Sequence, residues 1–276
     1  MSHTFQLYSA TLDLLPRSLT YYLDMEYALV RMDNETRLAI LTPHTSESFH
    51  TFAGDPSELV GQTLLICPLN AINATALRAQ MPWLQPHPLG LKTSVGLGDR
   101  LGLATPGHVR AIRNTGGNIA PIFTQQSIRE MTRTGRSPQR VMDDATWGVF
   151  EEGWRFGFGA DADHLKTFAD IDACLPFGYT FFTIDPGEYV DNRAETASLN
   201  ELRALAEKLP ANIQPFASGL QGKTFQIEEL TLTFNEHTLL KAAFKYGRAV
   251  AHVAAMYQHL TQTAGSRPFE LEVSVD

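Results

Sequence analysis

The sequence predicts an α/β protein. Its larger part reads as a (β/α) TIM-like barrel, incomplete at about five of eight β/α units, preceded by a small N-terminal α/β region. Three observations carry that expectation. From Lys92 onward, short apolar runs alternate with segments of helical period, as parallel strands covered by helices do. The closing run FELEVSVD alternates cleanly, with Glu270, Glu272, Ser274 and Asp276 on one face and Leu271, Val273 and Val275 on the other. Between the two regions, MPWLQPHPLGL carries Pro82, Pro86 and Pro88, which stop helices and central strands alike. The regions are therefore drawn as 1–90 and 91–276. An open doubly wound sheet is the alternative. It would leave unpaired backbone and costly charge on a carboxylate-rich edge strand, so a truncated barrel is preferred.

In the first region, Tyr27–Arg31, Arg37–Leu41 and Leu64–Leu69 read as strands and Asn73–Met81 as a short helix. No spacing there is catalytic, so the region is read as scaffold or interface. The second region opens with a strand at Thr93–Leu97. Asn118–Phe123 is a second apolar run, flowing into Gln125, Gln126 and an apparent helix. Ser137 caps a helix with Pro138 at its first position. That helix carries Val141, Met142, Ala145 and Val149 on one face and runs to about Trp154.

The stretch FGFGADADHLK (Phe156–Lys166) starts like a buried strand and ends in Asp161, Asp163, His164 and Lys166. Crowding polar groups where a strand gives way to a helix is how an α/β barrel builds a site. A helix follows near Leu165–Ala173, then a strand at Tyr179–Ile184 ending in Asp185-Pro186-Gly187. Ser198–Leu209 is a short amphipathic helix, and Phe225–Phe234 an insertion or a pair of short strands. Asn235 caps a long helix to about Thr263, with Leu239, Leu240, Phe244, Gly247 and Ala251 on its apolar face.

Composition narrows the function. The chain has 276 residues, 43% of them hydrophobic, enough to build a sizeable core, and a net charge of −8. That charge carries no footprint for nucleic acid or an anionic membrane. Cys67 and Cys174 sit in apolar settings and read as buried structural thiols. The N-terminus lacks the order of a signal peptide, and no apolar run approaches the roughly 20 residues that span a bilayer, so a cytoplasmic protein is expected. Gly96, Gly98 and Gly102 have the wrong spacing for a dinucleotide loop, so no NAD is expected; no PLP is expected either. There is no phosphate-binding loop, no C-x-x-C, no G-x-S-x-G and no H-E-x-x-H.

What remains is polar residues at successive strand ends. Asp99, Arg100 and His108 follow the first strand of the second region, Gln125 and Gln126 the second, Asp161 to Lys166 the third, and Asp185 the fourth; Glu270 to Asp276 form the fifth. Each has a plain structural reading. Asp163 could be a helix N-cap, His164 a first-turn surface residue, Asp185-Pro-Gly a turn, and Asp99 with Arg100 an ion pair. Glu272 is harder to dismiss, because a carboxylate in an apolar strand is costly without a cation, metal or polar cavity. Together they suggest a divalent cation held by oxygen and nitrogen, acting on a sugar-like substrate.

The runs SVGLGDRLGLATPGHVRA (Ser94–Ala111), PIFTQQSIREM (Pro121–Met131), DDATWGVFEEGWRFGFGADADHLKT (Asp143–Thr167) and FFTIDPGEYVD (Phe181–Asp191), with LEVSVD at the end, resemble the tagaturonate epimerase family. The resemblance covers most of residues 90–276. It implies a cytoplasmic, divalent-metal-dependent isomerase of hexuronate breakdown that interconverts D-tagaturonate and D-fructuronate; related members act on tagatose and fructose. It also implies a longer protein, with a further His-containing metal region beyond Asp276. Placement and resemblance together make His164 the expected metal ligand and Asp163 and Glu272 the expected acid/base pair, with Asp161 and Glu270 in reserve. Asp99, Arg100, Gln125 and Lys166 are expected to bind substrate. A Schiff base on Lys166 and an inactive or sugar-binding fragment are the competing readings, and a homo-oligomer stays open.

Overall fold

In the N-terminal region the chain builds an antiparallel sheet from β1 (Asp13–Leu14), β2 (Thr20–Tyr22), β3 (Met25–Met32), β4 (Glu35–Thr42), β5 (Asp55–Leu59) and β6 (Gln62–Pro68), in the order β1-β3-β4-β6-β5 with β2 also on β3. The computed structural model describes residues 4–7, 12–43, 47–116, 118–209 and 219–274. Three hairpins close on two-residue turns whose backbone lies at positive φ: Leu23-Asp24, Asp33-Asn34 and Val60-Gly61. Such turns match the right-handed twist of the strands they join.

Both faces of this sheet are covered, which is why Met25–Val30 is buried almost continuously rather than on alternate residues. Tyr27, Leu29, Leu38, Ile40 and Leu65 share a core with Leu77 and Met81, at the end of the helix Ala71–Gln80. Ala28, Val30, Ala39, Leu41 and Leu64 pack with Phe5 on the opposite face. Phe5 belongs to α1 (Thr4–Leu7), whose first amides, those of Thr4 and Phe5, donate to the Glu26 carboxylate. The helix Ala71–Gln80, α2, starts where Asn70 accepts from the amide of Asn73.

The second sheet has five strands: β7 (Ser94–Gly96), β8 (Ala120–Ser127), β9 (Gly159–Leu165), β10 (Phe181–Ile184) and β13 (Glu270–Val273), in the order β13-β10-β9-β8-β7. The remaining pair, β11 (Thr224–Ile227) and β12 (Leu230–Thr233), forms a separate hairpin, resolving the insertion expected at 225–234. β7 runs parallel to β8 and β8 to β9, with Gly96 opposite Ile122, Gln125 opposite Asp161 and Ser127 opposite Asp163. The α/β class and the five parallel strands agree with the sequence reading.

The connecting helices are α3 (Thr105–Thr115), α4 (Ile128–Thr134), α5 (Pro138–Glu151), α6 (Phe168–Cys174), α7 (Leu199–Ala206) and α8 (Glu236–Ala264). Caps legible in the sequence are formed. Ser137 accepts from the amide of Arg140 and Asn235 from that of Thr238; the structure adds a reciprocal capping box between Ser198 and Glu201. Val141, Met142, Ala145 and Val149 of α5 are buried as its periodicity requires. Cys67 and Cys174 are buried and unpaired with each other, and burial pushes the Cys67 thiol up to about 12.

Several boundaries differ from the sequence reading, among them the helix expected near Leu165–Ala173, which begins only at Phe168 because Leu165 closes β9. α5 ends at Glu151, short of Trp154. β8 extends through Gln125 and Gln126 to Ser127, so both glutamines lie on the strand and not after it. β9 begins only at Gly159: Phe156 is 84% exposed, and Gly157 turns the chain at φ 76 where a side chain would collide with His87.

By contact density the chain divides into two units. Met1–Asp163, Asp172–Phe182 and Pro268–Glu270 form the first; His164–Ile171, Thr183–Arg267 and Leu271–Asp276 form the second. The first has the cores described above. The second is built on Ala194, Leu202, Leu209 and Phe244, which join α7 to α8, with Asp191 bonded by Arg193 and Arg248 beside them.

Candidate functional site

In the first unit, polar side chains collect at the carboxyl ends of β7, β8 and β9. Asp99 follows β7 and turns both carboxylate oxygens onto its own loop. It accepts from the amides of Leu101 (3.1 Å), Gly102 (2.8 Å) and Ala104 (2.7 Å). Burial works to raise its pKa, but these amides outweigh burial and hold the carboxyl below its ordinary range. Its oxygens thus organise the turn leading into α3. Arg100, next along, stays outward. Its side chain is 70% exposed, and its Nε lies 3.5 Å from Glu130 on α4, so Asp99 and Arg100 do not pair with each other.

Gln125 and Asp161 are register partners on β8 and β9, and the Gln125 amide nitrogen donates to Asp161 Oδ2 at 2.9 Å. Asp161 is only 1% exposed. Gln125 lies over Gly96 so closely that any Cβ there would collide with its amide group. The absent side chain at Gly96, the amide of Gln125 and the carboxylate of Asp161 are one arrangement across three adjacent strands. Asp163 sits two residues beyond Asp161, half-buried, opposite Ser127. It lies on the strand and does not cap a helix. Asp170 meets the entrance of α6 instead, accepting from the amides of Lys166 (2.9 Å) and Thr167 (2.8 Å).

In the second unit, His164 has φ 55, a left-handed conformation that L residues adopt at a cost. Such strain inside a strand persists only where the surroundings impose it, and it concentrates at functional sites. The His164 Nε2 is 3.5 Å from Ser274 Oγ. Lys166 is exposed; its ammonium lies 2.9 Å from Glu188 and 3.7 Å from Asp185. The hydrogen bond that Lys166 donates to Glu188, helped by the charge of Asp185, raises the pKa of Lys166. A Schiff-base lysine needs the opposite shift. Asp185 also accepts from the amide of Gly187, the turn its sequence suggested.

The carboxylates of the last strand differ from one another. Glu270, in the first unit, accepts from the amides of Leu89 (2.8 Å) and Gly90, fixing the turn before β7. Glu272, in the second, is exposed and accepts from the Thr183 hydroxyl at 3.1 Å. Val273 is 43% exposed, so the expected division of this strand into buried apolar and inward polar faces is not what these residues show, and the desolvation argument for Glu272 falls away. Val275 and Asp276 lie outside the described residues.

A divalent cation needs several hard donors converging. Among the described residues no three His, Cys, Asp or Glu side chains gather closely enough to hold one. His164 is thus a single expected donor without a completed set, and no chemical step is routed through a metal here. Two clefts of about 480 Å³ and 280 Å³ open on the first unit, lined in part by Arg78 and Phe177 and by Asp143 and Trp147. None of the expected site residues lines either. Among the described residues no helix is long and apolar enough to cross a membrane.

Sequence reasoning passed over Glu130, Arg129 and Arg133 on α4. The charge alternation of Arg129-Glu130 and Arg133, directly after the glutamine strand, was the available signal for them.

Comparison with known proteins gives consistent matches. The family model described as tagaturonate epimerase matches residues 15–276. A tagaturonate/fructuronate epimerase of Thermotoga maritima is 42% identical over 216 residues, covering 78% of this chain and 44% of that protein. The crystal structure of fructuronate-tagaturonate epimerase UxaE from Cohnella laeviribosi with one glycerol superposes with a TM-score of 0.87 at 33% identity, over 98% of this chain and 54% of that one. Its native crystal form gives 0.86 at the same identity and coverage. The chain spans about half the length of these relatives.

Proposed function

The chain belongs to the tagaturonate epimerase family, and from that premise we propose that the protein interconverts D-tagaturonate and D-fructuronate. The observation that carries the reading is the family match across residues 15–276, a range that includes every candidate site residue through Glu272. The five parallel strands, with Gln125, Asp161 and Asp163 at their carboxyl ends, support a barrel-type site built there. We take the sheet to be part of such a barrel.

The two sugar acids differ at a carbon β to the ketone, so removing a proton α to the carbonyl cannot invert it. In the route we favour, a base takes the proton of the hydroxyl on that carbon. The bond to the α-carbon breaks, its electron pair passing to the enolate. The aldehyde formed rotates, and the bond re-forms on its other face as the proton returns to the oxygen. Asp163 and Glu272 are the proposed acid and base, since carboxylates in different surroundings can hold different protonation states. His164 is the proposed metal donor. A divalent ion, completed by donors outside the described residues, would supply Lewis acidity for the enolate. The raised pKa of Lys166 speaks against metal-free Schiff-base chemistry at that residue. Action on the uncharged ketoses is the alternative substrate reading.

Conversion in heavy water tests the scheme. Following D-tagaturonate by NMR, the retro-aldol route yields D-fructuronate with the original hydrogen kept on the inverted carbon. Deuterium at that carbon would overturn the route while keeping the activity, and absence of conversion with divalent ions supplied would overturn both.

A further inference from the structure

Directly beyond the carboxyl end of β8, Arg129 and Arg133 of α4 and Arg100 of the loop after β7 meet one carboxylate. Glu130 lies 2.9 Å from Arg133, 3.5 Å from Arg100 and 3.8 Å from Arg129. Glu130 is largely buried, while the arginine side chains are 63–74% exposed. One carboxylate neutralises one guanidinium, so three against one leaves an excess of two positive charges. The group is tied to the sheet edge from two sides. The Glu130 amide donates to Ser127, the residue opposite Asp163 on the neighbouring strand. Arg100 follows Asp99, whose amide donates to the Gln125 carbonyl.

The chain carries a net −8, and Asp161 and Asp163 stand on the same edge. Without cations nearby, an anionic sugar settling at that edge would face the like charge of these aspartates. We propose that Arg100, Arg129 and Arg133, held around Glu130, form a cationic rim that draws in and orients the carboxylate of a sugar acid, and so selects uronates over uncharged ketoses. This rests on the reading of the protein as a uronate epimerase. The rim acts on approach and binding and takes no part in bond breaking. Guanidiniums suit the task, since they stay charged at any working pH and can meet a carboxylate through two parallel bonds.

The test is the salt dependence of kcat/KM for D-tagaturonate in wild type, in the double variant Arg129→Gln/Arg133→Gln and in Glu130→Gln. Charges about 10 Å apart in water change such a rate constant about two-fold each. The double variant should therefore lose about four-fold at low salt, chiefly through KM, and Glu130→Gln, which frees one more cation, should gain about two-fold. Both differences should close near 1 M salt, where the screening length is about 3 Å. Equal kcat/KM at every salt, or an equal loss on an uncharged ketose, overturns the rim. If wild type fails to turn over the uronate, the functional reading falls, and the rim is judged by uronate binding at low salt: weaker binding in the double variant keeps it, and equal binding removes it.

Discussion

Replacing Gly96 by alanine should injure the protein through a residue on another strand. Gly96 needs no unusual backbone, so alanine is allowed locally and even gains about 0.5–1 kcal/mol over glycine in chain entropy. The added Cβ, however, would lie 2.6 Å from Gln125 Nε2, well inside contact, and must displace that amide. The amide is bonded to Asp161 Oδ2 at 2.9 Å, and Asp161 is 1% exposed, so water cannot readily replace it. A hydrogen bond to a charged acceptor contributes about 1.5–3 kcal/mol. Gly96→Ala should therefore cost about 1–2 kcal/mol net, and Gln125→Ala about 1.5–3 kcal/mol. Both break the same bond, so the double variant should cost no more than Gln125→Ala alone. The added methyl would partly fill the space that the amide left. Urea denaturation of the four proteins gives the cycle, provided the m-values agree. An additive double variant, or a silent Gly96→Ala, would refute the claim that the three residues form one arrangement.

Further outcomes follow at His164, Glu152 and Lys166. His164 at φ 55 carries about 1–2 kcal/mol of backbone cost, so His164→Gly should leave Tm equal or higher while abolishing turnover, and His164→Val should lower Tm. Glu152 accepts from Arg17, Arg110 and Arg113 and is 6% exposed, and Glu152→Ala should cost about 2–3 kcal/mol in chemical denaturation, the low end for a buried pair because the arginines are partly solvated. Burial raises the Glu152 pKa, but the hydrogen bonds from these arginines more than reverse that and hold the folded carboxyl below its ordinary 4.5. Its stabilisation is thus complete above that value and is lost as pH falls through the folded one, so Glu152→Gln should flatten the acid limb of Tm against pH. Borohydride with substrate should leave Lys166 unmodified by mass spectrometry, because Glu188 and Asp185 hold its ammonium protonated.

The fold was legible wherever local chemistry decided it. The caps at Ser137 and Asn235, the stripe on α5 and the five strands of the second sheet all follow from short-range pattern. Legibility failed at the site itself, for a physical reason. Asp161, Asp163 and His164 read as a helix entrance because polar residues rarely stand on a buried strand. All three stand on β9, where a neighbouring strand supplies Gln125 as the partner of buried Asp161, and that partnership spans 36 residues and is invisible to any local window. The same holds for Glu270, whose bonds to Leu89 and Gly90 join residues about 180 positions apart. Phe156 misled in the opposite direction, since its alternation with glycine mimics a strand while the ring faces solvent. Asp99, expected to bind substrate, turns its oxygens onto three amides of its own loop, another partnership the strand-end pattern does not reveal.

The most direct measurement is the approach to equilibrium between D-tagaturonate and D-fructuronate, followed from both sides by NMR, for the wild-type protein and for Asp163→Asn. The two wild-type reactions should converge on one ratio, and Asp163→Asn, with an unchanged unfolding transition, should be slower by about 10²-fold or more. No interconversion by the wild type, or an Asp163→Asn protein that keeps the wild-type rate, would contradict the account.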